Sequence, residues 1–186
     1  AFAFIGGVSE ADLPSLQAKV LSVGSGWDAY MFALHVLGAD IPALQARMLS
    51  VGVGLDAVLF ARDVPGADFF ACQKRVLEFG TGFDAYFYAI KVPGADIAAC
   101  QARVLAWGTP HDMFRFAMNI HSADVEALYA AAQAQGFNGW CNAQENAEFD
   151  ARLAEYRAQR QQQVAGHQAE VEVTDDAGAG PEAPAA

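Results

Sequence analysis

Asp12, Asp40, Asp68, Asp96 and Asp124 stand 28 residues apart, and setting them in one column aligns the intervening sequence without a gap. The pentapeptide "VPGAD" accordingly occurs twice, at Val64 to Asp68 and at Val92 to Asp96. An internal period of this length is the mark of a stacked array, in which one short supersecondary unit buries its apolar side only against its neighbours. The repeat therefore decides the fold before composition is consulted.

Further columns follow the aspartates. Gln17, Gln45, Gln73 and Gln101 form one, and Gly24, Gly52, Gly80, Gly108 and Gly136 another. Asp28, Asp56, Asp84 and Asp112 form a second acidic column, followed by an aromatic one at Phe32, Phe60, Tyr88 and Phe116. This punctuation predicts two helices per unit. The first begins at an Asp N-cap such as Asp40, with Pro14 or Pro42 in its first turn, where a missing N–H costs nothing. Gly52 is expected to stop that helix in a left-handed conformation. The second is expected to be capped by Asp56 and to end at Gly66, so "VPGAD" closes one helix and opens the next. Trp27, Leu55, Phe83 and His111 precede these second caps by one residue. A hydrophobic staple onto the aromatic five positions later explains that whole column, and is preferred to a ligand contact.

Helices of about ten residues do not persist alone in water. The expected fold is all-α: an αα-hairpin repeat solenoid with a longer C-terminal capping helix and an extended acidic tail. Residues 1–11 are read as the remnant of a truncated repeat, with Phe4 and Val8 in the aromatic and valine columns. Residues 12–39, 40–67, 68–95 and 96–123 are repeats one to four. Residues 124–165 hold a degenerate repeat and a capping helix, started by Asn142 and striped by Phe149, Leu153 and Tyr156. Residues 166–186 are an Ala/Gly/Pro-rich acidic tail, expected to be extended or disordered. Pro110, His111 and Met113 depart from the pattern, which predicts an altered turn in the fourth unit.

The pattern GxGφDAYxFAxxVPGAD resembles tandem 28-residue helical-hairpin arrays of uncharacterised bacterial and phage proteins. The resemblance covers residues 1 to about 124; it implies short hairpins and brings no chemistry with it.

Charge restricts the partners. The chain carries 22 acids and 11 bases, a net charge of −11. Such a field disfavours polyanions, so nucleic acid begins at a disadvantage. No apolar run approaches the length needed to cross a bilayer, and no signal peptide is visible. A cytoplasmic protein, or part of a larger assembly, is expected. Cys72, Cys100 and Cys141 are too few and too widely spaced for a disulfide scaffold or zinc knuckle. The first two replace Leu16, Leu44 and Leu128 in their column and are read as buried hydrophobes.

Chemistry is hard to find. His35, His111, His121 and His167 have no partner at metal-binding spacing and no nucleophile beside them. No catalytic, cofactor or metal residue is assigned, no cofactor is expected, and the chain is read as a non-enzyme. "GVGLD" and "GTGFD" repeat with the array and are turns, not phosphate loops.

Lys19, Arg47, Arg75 and Arg103 place one cation in each unit. As a ladder they are the candidate polyanion site of a nucleic-acid repeat reader. The simpler account, helix-dipole compensation with stems laid over apolar surface, is preferred because the protein is acidic. Columns that differ between units are the candidate partner contacts: Met31, Leu59, Phe87 and Arg115; Leu34, Arg62, Ile90 and Met118; His35, Asp63, Lys91 and Asn119. Inter-unit packing is their alternative role. The leading expectation is a non-enzymatic interaction or scaffolding module that binds a protein partner or further copies of itself. A nucleic-acid reader and an acidic regulator or decoy are the alternatives.

Overall fold

The computed structural model describes residues 12–137 and 143–176, with side chains of the latter segment from 144 to 165. The expected remnant at 1–11, the cap at Asn142 and residues 177–186 lie outside the described residues. Two units are distinguished, one ending at Phe137 and one beginning at Asn138. All regular structure among the described residues is helical.

Every other helix of the array starts at a column aspartate. α1 (Leu13–Val23), α3 (Ile41–Val51), α5 (Phe69–Phe79), α7 (Ile97–Trp107) and α9 (Val125–Ala134) follow Asp12, Asp40, Asp68, Asp96 and Asp124. The last four carboxylates accept from the N–H groups of Ala43, Ala71, Ala99 and Ala127 at 3.0–3.1 Å. Each such cap stabilises its helix by about 1 kcal/mol. Between them run α2 (Gly26–His35), α4 (Gly54–Asp63), α6 (Gly82–Lys91) and α8 (Pro110–Asn119).

Within the array consecutive helices pack on one another, and each of α1 to α6 also meets its counterpart in the next unit. The most extensive pairings are α2 with α3, α4 with α5 and α6 with α7. The physical hairpin thus joins the second helix of one unit to the first of the next. At its tip, Pro65 and Gly66 occupy the centre of a type II turn: Gly66 has φ 84°, and the Ala67 N–H donates to the Val64 carbonyl at 3.2 Å. Glycine is required there because a side chain strains a positive φ. The core runs along the stack through Ala29, Leu44, Met48, Phe60, Cys72, Val76, Tyr88, Cys100, Val104 and Phe116. Small alanines at 29, 57, 85 and 117 let the even-numbered helices approach one another.

Several local expectations are corrected. Asp28, Asp56, Asp84 and Asp112 are the third residues of their helices, not the caps; the caps are Ser25, Val53, Thr81 and Thr109. Each carboxylate reaches back to the cap's own N–H, and the Ser and Thr hydroxyls complete reciprocal capping boxes. Val53 has no acceptor, so only the Val53 N–H to Asp56 bond, at 3.0 Å, is made. The cap read from the sequence falls three residues too late because an acid at the third helical position and an acid at the cap are both favourable to the dipole.

Gly24, Gly52, Gly80 and Gly108 are extended, with φ between −67° and −83°, so they do not stop helices by left-handed geometry. In that column Gly136 alone is left-handed, at φ 80°. The staple fails as well. Trp27, Phe83 and His111 lie inside the first turn and meet Tyr30, Tyr86 and Phe114, three positions on, with Phe83 also stacked on Phe87. A residue one position inside the helix projects sideways from it and cannot reach back across the entry.

The fourth-unit turn is not altered, since Pro110 takes the first helical position, where no N–H is needed, and Thr109 and Asp112 form the usual box. The second unit contains α10 (Ala143–Asp176). Phe149 and Leu153 are buried on it, and Gln144–Glu148 and Arg152–Glu155 pairs line its polar side. It continues past residue 165 through a segment expected to be extended. Ala, Gln and Glu there favour helix, and the tail's prolines come only at Pro181 and Pro184.

Candidate functional site

The Gln and Arg ladders are structural bonds between units. Gln17, Gln45, Gln73 and Gln101 each accept, through Oε1, the backbone N–H of the next unit's cap: Asp40, Asp68, Asp96 and Asp124, at 2.8–3.0 Å. In the reverse direction Arg47 donates through Nε and Nη2 to the Gly24 carbonyl at 2.9 and 2.7 Å. Arg103 does the same to Gly80. Arg75 reaches Gly52 through Nη2 alone, at 2.6 Å, and leaves its buried Nε without a partner. Its guanidinium lies over the Phe79 ring at 4.2 Å, and that of Arg103 over Trp107 at 5.1 Å.

Each arginine therefore caps the C-terminal end of a helix in the preceding unit, where a cation meets the negative end of the dipole. Lys19 is exposed on α1. In the fifth unit the ladder position is Ala131, and Gln135 Nε2 supplies the donor to Gly108 instead, at 3.1 Å. The ladder residues are thereby brought together as inter-unit ties, not as a free phosphate track.

The glycine pairs define a surface that sequence reasoning missed. A Cβ on Gly26 would run into the Gly52 Cα, one on Gly54 would lie 2.6 Å from the Gly80 Cα, and one on Gly82 would run into the Gly108 Cα. Successive turns thus touch backbone to backbone. The same approach buries Asp56, Asp84 and Asp112, whereas Asp28 at the start of the described array stays exposed. Asp28 is held below its ordinary pKa by the Ser25 hydroxyl and N–H. Asp56 is raised, chiefly by desolvation, with the Asp84 charge adding to it and the Val53 N–H opposing it.

Large apolar side chains flank these turns on both sides. Val23, Phe79 and Trp107 are 72%, 63% and 69% exposed, and Val51, Val53, Leu55, Trp27 and Phe83 are also open to solvent. Because the turns touch, these residues recur as a ridge along the array edge. Exposed apolar surface of this kind marks interaction sites. Helical periodicity hid it: Met48 to Val51 and Val76 to Phe79 keep core spacing, but the last turn of each helix overhangs the stack. The signal available in the sequence was a bulky residue on each side of every GxG.

The variable columns occupy the even-numbered helices, and none of their twelve residues is fully buried. Several come together. Arg62 donates to both Asp63 oxygens at 2.7 and 2.6 Å, and the Tyr30 hydroxyl donates to Asp63 at 2.8 Å. The guanidinium holds the Asp63 carboxyl below its ordinary pKa, and burial with this carboxylate pushes Tyr30 up to about 12. Arg62 and Lys91 lie over Phe87, and Arg115 lies over Phe83. Asn119 donates to the Arg115 carbonyl at 2.8 Å. Met31, Leu34, His35, Leu59, Ile90 and Met118 share these helices but enter none of those bonds or ring contacts.

Cys72 and Cys100 are buried as expected, and desolvation pushes both thiols up to about 12. Among the described residues no cluster of His, Cys, Asp and Glu could hold a metal ion, and no helix is long and apolar enough to cross a membrane. Compared with models of protein families, with curated proteins and with solved structures, the chain matches none.

Proposed function

We propose that the array is a non-enzymatic protein-interaction module whose docking surface is the apolar ridge along its GxG edge. The observation that carries this reading is that bulky apolar side chains recur, exposed, on both sides of turns whose polar groups are already internally bonded. A rigid stack of such turns presents a fixed row of anchors and loses little side-chain freedom on binding. Aromatic residues held by arginine, as at Phe79 and Trp107, suit the anchor role.

The test substitutes Phe79→Gln and Trp107→Gln together, both on exposed positions. Sedimentation velocity of the chain alone and affinity capture beside the unsubstituted chain are then compared. A saturable complex, with a protein or with further copies, that is lost in the variant supports the reading. A chain that stays monomeric and captures the same proteins with or without the ridge defeats it.

A further inference from the structure

Most cations of the array have fixed partners. Arg47, Arg75 and Arg103 hold carbonyls, and Lys74 pairs with Glu78 at 3.8 Å. Arg62, Lys91 and Arg115 converge on one pair of rings. Phe83 and Phe87, one turn apart on α6, stack at 5.7 Å with 12° between planes. Arg62 from α4 stands 5.7 Å from the Phe87 centroid, Lys91 stands 6.0 Å from it, and Arg115 from α8 stands 5.6 Å from the Phe83 centroid. Asp63 neutralises Arg62. Lys91 and Arg115 form no ion pair with any described residue.

A cation over a phenylalanine at the surface is worth about 0.5–1 kcal/mol, too little to replace a counter-charge. The platform is also accessible: Arg62, Lys91 and Phe83 are exposed, and Phe87 and Arg115 are half-buried. We propose that this platform binds an acidic peptide segment of a partner protein. Carboxylates of that segment meet Lys91 and Arg115, and one of its apolar or aromatic side chains lies on the Phe83–Phe87 rings.

Local charge complementarity carries the assignment: an arginine fork matches a carboxylate, and on a chain whose net charge of −11 opposes acidic segments elsewhere, the two cations without an ion pair select the docking point. The cations come from three different columns, one per unit. At the Arg115 position the other units have Met31, Leu59 and Phe87; at the Lys91 position they have His35, Asp63 and Asn119. A nucleic-acid strand tracking the array would need the same cation in every unit. A short segment needs it once. The inference takes the class of partner from the interaction-module reading and places it on the even-numbered helices, where the platform adjoins the ridge at Phe83.

Fluorescence anisotropy of a fluorescein-labelled peptide alternating Glu with Trp and Leu tests it, beside the same peptide with Gln for Glu and a labelled oligothymidylate of equal length. The acidic peptide is expected to bind the intact chain, to weaken as salt rises, and to lose about tenfold or more in affinity on combined Lys91→Gln and Arg115→Gln substitution. Lys74→Gln is expected to change nothing. Should the double variant lose helical circular dichroism, the single Lys91→Gln change, on an exposed side chain, must still weaken binding about threefold or more. Equal binding of the Gln peptide, or affinity unchanged in a folded variant, overturns the inference, and tighter binding of oligothymidylate overturns it in favour of nucleic acid. Complexes that depend on Phe79 and Trp107 but ignore Lys91 and Arg115 would sink this inference and leave the ridge reading standing.

Discussion

The Gln45 side chain grips Asp68 from both sides: Oε1 accepts the Asp68 N–H at 2.9 Å, and Nε2 donates to the Asp68 carbonyl at 2.9 Å. Gln45 is also buried, whereas Gln73, which accepts only from Asp96, is not. Two bonds and a desolvated amide make Gln45 the strongest tie between units. Gln45→Ala is expected to cost about 2–3 kcal/mol and Gln73→Ala about 1 kcal/mol. Urea midpoints of the two variants check the order. Gln45→Glu should be no better than Ala, because a carboxylate cannot donate to the Asp68 carbonyl and would be a second acid beside Asp68.

Val53 is the capping position at which the reciprocal bond is missing, and Asp56, raised chiefly by burial, lacks the hydroxyl donor that would oppose that rise. Val53→Thr restores a hydroxyl and is expected to stabilise the array by about 1 kcal/mol at neutral pH. The sign follows from linkage. A carboxylate raised in the folded state loses stability as pH rises from its ordinary value of 3.8 through its raised one. The new hydroxyl favours the ionised form, so the advantage of the variant should grow with pH across that interval and level off above it. Thermal midpoints of the two proteins over the acid range measure the difference.

The fold was legible because a gapless period leaves few architectures, and because Asp and Pro-Gly signals mark helix starts and turns independently of packing. Phase within the second helix was not legible, since Ser25, Thr81 and Thr109 look like loop residues until the hydrogen bonds are seen. The role of Arg47, Arg75 and Arg103 was also hidden: their acceptors lie 23 residues upstream, in the preceding unit. Local helix-dipole reasoning named the right kind of interaction and the wrong helix. The ridge escaped because exposure at a helix end depends on where its neighbour stops, which periodicity does not encode.

Two glycine columns should fail in different ways. Gly82 lacks room, since its Cβ would strike the Gly108 backbone, whereas a Cβ at Gly66 meets nothing but requires φ 84°. Gly82→Ala is expected to cost about 3 kcal/mol by forcing units apart. Gly66→Ala should cost about 1–2 kcal/mol through backbone strain. Gly66→Asn recovers part of that, because Asn tolerates the left-handed region, while Gly82→Asn is at least as damaging as Ala. Chemical denaturation of the four variants separates crowding from strain.

Cys72 and Cys100 lie in the core with thiols raised to about 12, so neither offers a thiolate at neutral pH. Both are expected to resist a thiol-reactive dye in the folded protein and to react fully in denaturant. Labelling of either one at native conditions, read by peptide mass, would contradict the packing described.

Arg103 separates the structural from the polyanion account of the ladder. Arg103→Met keeps the stem on apolar surface but removes both donors to the Gly80 carbonyl. A structural tie predicts a loss of about 1–2 kcal/mol in stability. That loss should hardly depend on salt, because the acceptor is a neutral carbonyl partly shielded from solvent. A phosphate ladder instead predicts little change in stability and a clear fall in oligonucleotide affinity with a shallower salt dependence. Urea denaturation at low and high ionic strength, run beside oligonucleotide titration, distinguishes the two, and the bonds to Gly24, Gly52 and Gly80 place the expected outcome with the first.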